Sequence, residues 1–419
     1  MEATQTVALR EVANNRPTSR CDGDMANART IPALFLAASR IRGGRMAMRW
    51  KRRGVWGAVS WTDYASAVRE VGCALLAFGL QRGDRVAILS ENRPEWLYVD
   101  LGAQTAGCVT VGIDALEPVE RIAEVVNDCG ARILFIDSAE QLDAISGGLA
   151  NAPALEGIVC FDARIRATET HASVVDLTRF RADGRRFDEQ HPQRWQAEIG
   201  QACADDIATI TYEPGSAATR LTHRDLAGEL DALAQYDPGA NGDEQLSLLP
   251  LSRPHERCFT AYRPLTAGSI VNFAEGPGNL VDALREVAPH VVMATPAIWK
   301  MLHAMIVTAI SDASPLGQLG YRLALAAGFA LTDRADSGRP QSPALRLRFS
   351  LAQVLVLNRV KTMIGLQRAR VLLCGGATMP LPLSHWYRAL GLTIVGPRDG
   401  EDWRPHVAND SLAPKESRC

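Results

Sequence analysis

The stretch from Asp205 to His223 reads Asp-Asp-Ile-Ala-Thr-Ile-Thr-Tyr-Glu-Pro-Gly-Ser-Ala-Ala-Thr-Arg-Leu-Thr-His, and the architecture can be built outward from it. Ile207 to Tyr212 alternates apolar and hydroxyl side chains, the pattern of a buried strand. Pro214-Gly215-Ser216 breaks that run as a turn. Thr222 is then placed to cap a helix over Arg224 to Gln235. Strand, glycine turn and helix form a cradle for a nucleotide phosphate, because backbone N–H groups and the positive end of the helix face the anion. The loop holds no lysine, and Arg220 is its one guanidinium.

At 419 residues the chain can bury a sizeable core, and more than one lobe is expected. A formal net charge of -2 gives no basic footprint for a nucleic acid polymer. Arginine supplies nearly all the positive charge, since Lys51, Lys300, Lys361 and Lys415 are the only lysines. The nine cysteines are scattered singly, without a Cys-x-x-Cys or Cys/His cluster, which points away from a zinc site and toward a reducing cytosol. Residues 1–28 are polar and dotted with arginine, and read as a disordered leader. No run approaches the roughly 20 apolar residues that cross a bilayer, so a cytoplasmic location is expected.

From Ser60 to Val395 helical and strand patterns alternate. Tyr64, Val68, Val71, Leu75 and Phe78 mark a helix over Thr62 to Leu80, and Arg85 to Ser90 follows as a strand after the Arg82-Gly83-Asp84 turn. Such alternation implies an α/β fold with parallel sheets covered by helices on both faces. The expected organisation is a first α/β lobe over 29–161, a charged linker over 162–201, a second α/β lobe with the phosphate loop over 202–395, and a disordered polar tail over 396–419. Pro343 to Gln367 reads as a long apolar helix carrying Arg346, Arg348, Arg359 and Lys361. Such a helix either docks on a core or touches an anionic membrane from its inner surface.

The loop resembles the signature of AMP-forming acyl-CoA synthetases, Tyr-Thr-Ser-Gly-Thr-Thr-Gly-x-Pro-Lys-Gly followed by Leu-Thr-His, of which Tyr212, Gly215, Ser216, Leu221, Thr222 and His223 are kept. Further segments are similar to long-chain members of that adenylate-forming superfamily. They include Met48 to Lys51, Gly83 to Trp96, Asn127 to Arg132, Leu249 to Ser252 with Glu256-Arg257, Thr295 to Trp299, and Gly375-Gly376-Ala377. They occur in the family's order over roughly Ala47 to Val395. The resemblance implies the large N-terminal domain of the adenylate-forming enzymes, two α/β lobes, with the C-terminal lid domain absent from this sequence. It also implies the reaction of a fatty acid with ATP and coenzyme A, assisted by Mg2+, giving acyl-CoA, AMP and pyrophosphate.

Carried over residue by residue, the resemblance places nucleotide binding at Tyr212, Gly215, Ser216, Arg220, Gly375, Gly376 and Ala377. Gly375 to Ala377 would form an adenine wall, or simply a tight turn after a strand. His255 and Trp299 fall where relatives approach the acid, although a core-edge histidine and a packed indole explain them as well. Of the family's Gly-Tyr-Gly-x-Thr-Glu element only Gly396 and Glu401 match. Glu401 is thus the sole candidate for a catalytic or metal-binding carboxylate, and no metal ligand is assigned. Missing phosphate donors translate directly into lost rate. The expected function is therefore a truncated acyl-CoA synthetase-like protein with little ligase activity. The alternatives are an active ligase completed by a partner chain, and a non-catalytic scaffold that binds acyl groups or a partner.

Overall fold

Continuous apolar runs make the central strands, because a parallel strand covered on both faces has no polar side to show. A computed structural model of the chain describes residues 30–149, 152–162, 173–213, 218–237, 239–276, 280–340 and 342–396. In chain order the strands are β1 (Met46–Arg52), β2 (Val55–Ser60), β3 (Arg85–Leu89), β4 (Val109–Ile113), β5 (Ala131–Ile136), β6 (Gly157–Cys160) and β7 (Ser173–Asp176). There follow β8 (Ile207–Thr211), β9 (Thr219–Thr222), β10 (Glu244–Ser247), β11 (Ile270–Phe273), β12 (Val291–Ala294), β13 (Val371–Cys374) and β14 (Ile394–Val395).

They form two seven-stranded sheets, ordered β7-β6-β5-β3-β4-β8-β9 and β14-β13-β12-β10-β11-β1-β2. Every pairing is parallel except the hairpins β1–β2 and β8–β9. The sequence-based lobes need correction here, since the sheets exchange segments: β1 and β2 belong with the later strands, while β8 and β9 complete the earlier sheet. Periodicity identifies a strand but not its neighbour, so this exchange left no trace in the local pattern.

Residues 162–201 are not a plain linker either. They contain β7 and the helices Leu177–Gln190 and Arg194–Gly200. The first helix turns Leu177, Phe180 and Gly184 inward, and a Cβ on Gly184 would lie 1.9 Å from the Glu70 carbonyl. Arg181 and Arg185 reach Glu70 at 2.6 and 3.0 Å. Trp195 is buried and donates its indole N–H to Thr105 Oγ1 at 3.0 Å. A charged outer face masked a helix with a narrow buried stripe.

The loop segment departs from strand-turn-helix as well. Residues 219–222 form β9, antiparallel to β8, with Thr211 opposite Thr219 and Ile207 opposite Thr222. The helix His223–Tyr236 thus starts at the far end of the hairpin, roughly 13 Å down the strand from the loop at ~3.3 Å per residue. Its N-terminus is closed by a capping box between Thr222 and Asp225, so its dipole does not point at the loop. Thr222 is the N-cap, as read from the sequence.

A buried polar cluster bridges the sheets. Arg257, at the end of the short helix Pro254–Arg257 after β10, inserts between β4, β8 and the helix Pro94–Thr105. Its Nη1 lies 3.8 Å from Asp100 Oδ1 with both side chains fully buried. Nη1 also donates to Thr209 Oγ1 and, at 3.4 Å, to Thr110 Oγ1. Nε donates to the Leu251 carbonyl at 3.1 Å, and the guanidinium lies 4.8 Å over Trp96. Asp100 in turn accepts from Thr110 Oγ1 at 2.7 Å and from the Tyr262 hydroxyl at 2.8 Å. Room for the guanidinium comes from Gly112, where a Cβ would stand 2.3 Å from Arg257 Nη2 and 2.8 Å from Ser252 Cα.

Removing one member of a dry ion pair strands the other, at a cost of about 3–5 kcal/mol. Arg257→Ala should lose that much in urea unfolding, while Arg121→Ala, whose partner Glu124 is exposed, should lose less than about 1 kcal/mol. Similar losses for the two variants would remove Arg257 from its structural role.

Candidate functional site

Ligands in open α/β sheets sit beyond the carboxyl ends of the strands. In the first sheet that end is marked by Gly112 and Ile113 at the close of β4, Asp114 after it, and Tyr212-Glu213 after β8. Together with Glu117, Arg121, Ser252 and Arg253 they line a small cleft between the sheets. The segment Leu249 to Arg253 is pinned across it by Asn92. Asn92 Nδ2 donates to Ser247 Oγ at 2.8 Å and to the Leu249 carbonyl at 2.6 Å, and its Oδ1 accepts from the Leu251 N–H at 3.0 Å.

The same segment leads to the second sheet. Gly375 follows β13 and donates its N–H to the Ala294 carbonyl at 3.0 Å, and a Cβ on it would meet Leu249 Cδ1 at 3.8 Å. Gly376 has φ +81°, a left-handed conformation that suits glycine, and with Ala377 it is exposed. Gly376 and Ala377 therefore present open backbone at a strand end, while Gly375 is buried against Met293 and Leu249, which links the turn to the cleft.

Of the other expected site residues that are described, Tyr212 lines this cleft, whereas Arg220, His255 and Trp299 do not. Gly215, Ser216 and Glu401 lie outside the described residues. The Tyr212 hydroxyl donates to Asp128 at 2.6 Å, and its ring lies against Arg121 at 6.0 Å. Arg220, on β9, sits opposite Ile210 of β8 and lines a neighbouring cavity of about 430 Å³ with Arg82, Arg85, Asp128, Asp206 and Tyr212. Alternation along β9, invisible until the hairpin was known, decides that direction. Trp299 is fully buried with its ring edge-to-face on Tyr387 at 5.5 Å, and the Tyr387 hydroxyl donates to the Trp299 carbonyl at 2.7 Å. It packs in the core of the second sheet.

His255 is half-buried on the short helix Pro254–Arg257, and burial followed by Arg253 pushes its imidazole down to about 4. His223 is fully buried and likewise pushed down to about 4 by burial, and its Nδ1 accepts from the Ile31 N–H at 3.4 Å. Both rings are neutral near pH 7. Beside His255, burial lifts the Glu256 carboxyl up to about 8, against hydrogen bonds from Thr260 Oγ1 at 2.6 Å and Ser247 Oγ at 3.1 Å. Asn92, Asp100 and Arg257 were not singled out from the sequence as individual residues. One signal was present: Asp100 and Gln104 are polar residues on a helix that is otherwise packed on every side.

Residues 35–396 match the model of the AMP-binding enzyme family. The long-chain-fatty-acid–CoA ligase ACSBG1 of Bos taurus is 26% identical over 382 residues, covering 87% of this chain and 50% of the relative. FadD15 of Mycobacterium tuberculosis, also a long-chain-fatty-acid–CoA ligase, is 27% identical over 354 residues, covering 81% and 55%. Among solved structures, the A-PCP didomain of the carboxylic acid reductase from Segniliparus rugosus, in complex with AMP, superposes with a TM-score of 0.66 at 14% identity. It covers 94% of this chain and 54% of that one. The chain spans about half the length of the curated relatives it matches. It belongs to the AMP-binding enzyme family and has the N-terminal-domain fold of the adenylate-forming enzymes.

A raised carboxyl pKa has a definite sign. Between about pH 4.5 and about 8 the folded chain keeps a proton on Glu256 that the unfolded chain has released. This contribution to stability is full below the unfolded pKa and is lost as pH rises through about 8. Glu256→Gln removes the titration but keeps an acceptor for Thr260 and Ser247. Relative to the wild type, the variant should gain roughly 1–3 kcal/mol between pH ~5 and pH ~8.5 in denaturant titrations. A constant difference between the two would show that Glu256 does not titrate there.

Proposed function

We propose that this member of the AMP-binding enzyme family is a long-chain acyl-CoA ligase-like protein whose loop region favours holding an adenylate or acid over forming the adenylate from ATP. In the family reaction a carboxylate oxygen attacks the α-phosphorus of ATP and pyrophosphate leaves, after which the acyl group passes to coenzyme A. ATP, Mg2+, coenzyme A and a fatty or related acid are the ligands of that family reaction. Relatives named as long-chain-fatty-acid–CoA ligases and the AMP-bound structural neighbour support that class.

The observation that carries the reading is the charge around the cleft. Asp114, Glu117 and Glu213 line it, against Arg121 and Arg253, and Arg220 faces a different cavity. A triphosphate brings several negative charges, and phosphoryl chemistry depends on cations preorganised around them. Among the described residues, the side chains lining the cleft do not fit a triphosphate. A hydrogen bond to a charged group contributes about 1.5–3 kcal/mol, so the lost loop lysine alone removes roughly ten- to a hundredfold in rate. An adenylate is a smaller demand, with one phosphate and a base that stacks on exposed backbone such as Gly376 and Ala377.

ATP–pyrophosphate exchange with a panel of fatty acids should run at least about tenfold below a complete family ligase measured alongside. AMP should raise the melting temperature at least as much as ATP does. Rapid acid-dependent exchange, or stabilisation by ATP well beyond AMP, would overturn this reading.

A further inference from the structure

Large apolar side chains at a protein surface are ordinary when scattered and informative when gathered. Ten of the seventeen exposed among the described residues lie between 301 and 355, so exposure is concentrated on one group of helices. On the helix Pro315–Asp336, Leu316, Leu319 and Leu323 are 82%, 53% and 53% exposed. Their spacing of three and four residues puts them on one strip. The helix Pro343–Ala352 continues through the wide turn Gln353–Leu357 and shows Leu347, Leu351, Val354 and Leu355 at 63%, 54%, 69% and 65% exposure. The two helices pack together, and a Cβ on Gly320 would meet Val356 Cγ2 at 3.9 Å, so both strips flank one seam.

The charge around the seam has one sign. Arg322 flanks the first strip, and Arg348 and Arg359 the second, all three exposed. Residues 300–363 hold eight Lys and Arg against three Asp, whereas the whole chain has a net charge of -2. Two of those aspartates are already engaged, Asp333 with His385 and Asp336 with Arg388.

We propose that this face docks on an anionic lipid surface, with the two helices lying in the plane of the headgroups. Exposed leucines enter the acyl boundary while arginines meet the lipid phosphates, the division of labour of interfacial helices. No helix among the described residues is long and apolar enough to cross a membrane, which fits a surface that lies on a bilayer. A second copy of the chain is the poorer occupant, because two faces of the same sign repel. The placement is independent of whether adenylation occurs.

The test is sedimentation of the purified full chain with vesicles of phosphatidylcholine alone, or containing about a third phosphatidylglycerol. Binding to the anionic vesicles should exceed binding to the neutral ones at least about tenfold and fall as salt rises. The double variants Leu347→Ser with Leu351→Ser, and Arg348→Glu with Arg359→Glu, should each lower it at least about tenfold. Because these side chains are exposed, circular dichroism and the melting temperature should not change. Equal binding to both vesicles, no binding, or binding untouched by either double variant would overturn the proposal. So would a dimer that the leucine variant splits in the absence of vesicle binding.

Discussion

A guanidinium sealed between two sheets is the constraint around which the rest is arranged. Arg257 and Asp100 are both fully buried, so each needs the other and the hydroxyls of Thr110, Thr209 and Tyr262 to offset lost hydration. The cluster draws on a strand, a neighbouring strand, a helix and the helical segment that follows β10 of the other sheet. Such a set is satisfied in only one arrangement of the sheets. Gly112 leaves the space, Trp96 supplies a ring face, and Asn92 fixes the Leu249 to Arg253 segment that enters the same region. The cleft beyond β4 and β8 is a by-product of this packing, opening where the bridge ends.

The proposed nucleotide region is accordingly uneven. Its backbone parts persist, with Gly375 and Gly376 at the end of β13 and the pinned segment facing them. Its polar side chains are otherwise engaged: the Tyr212 hydroxyl at the cleft is bound to Asp128, and Arg220 lines the neighbouring cavity. Backbone geometry follows from the fold, whereas a phosphate donor is one side chain that can change without disturbing any strand.

That difference also sorts what could be read from residues alone. The α/β class, the strand at Ile207 and the Thr222 cap were legible because they rest on local period and local hydrogen bonds. The helix at Leu177–Gln190 was hidden by its charged outer face, and the directions of Arg220 and Trp299 depend on partners distant in sequence. Arg257 was visible as part of a motif. Its burial followed only from Asp100, 157 positions earlier, meeting it in space.

The exchange of hairpins between the sheets has a consequence for synthesis. Met48 of β1 pairs with Val271 of β11, 223 positions later. At roughly 5–20 residues per second, β1 and β2 emerge from the ribosome about 10–45 seconds before their sheet partner exists. During that interval an open strand edge with Met48 and Val59 unburied is exposed to other chains. A nascent-chain chaperone covering the first hairpin thus has more bearing on yield than the stability of the finished domain.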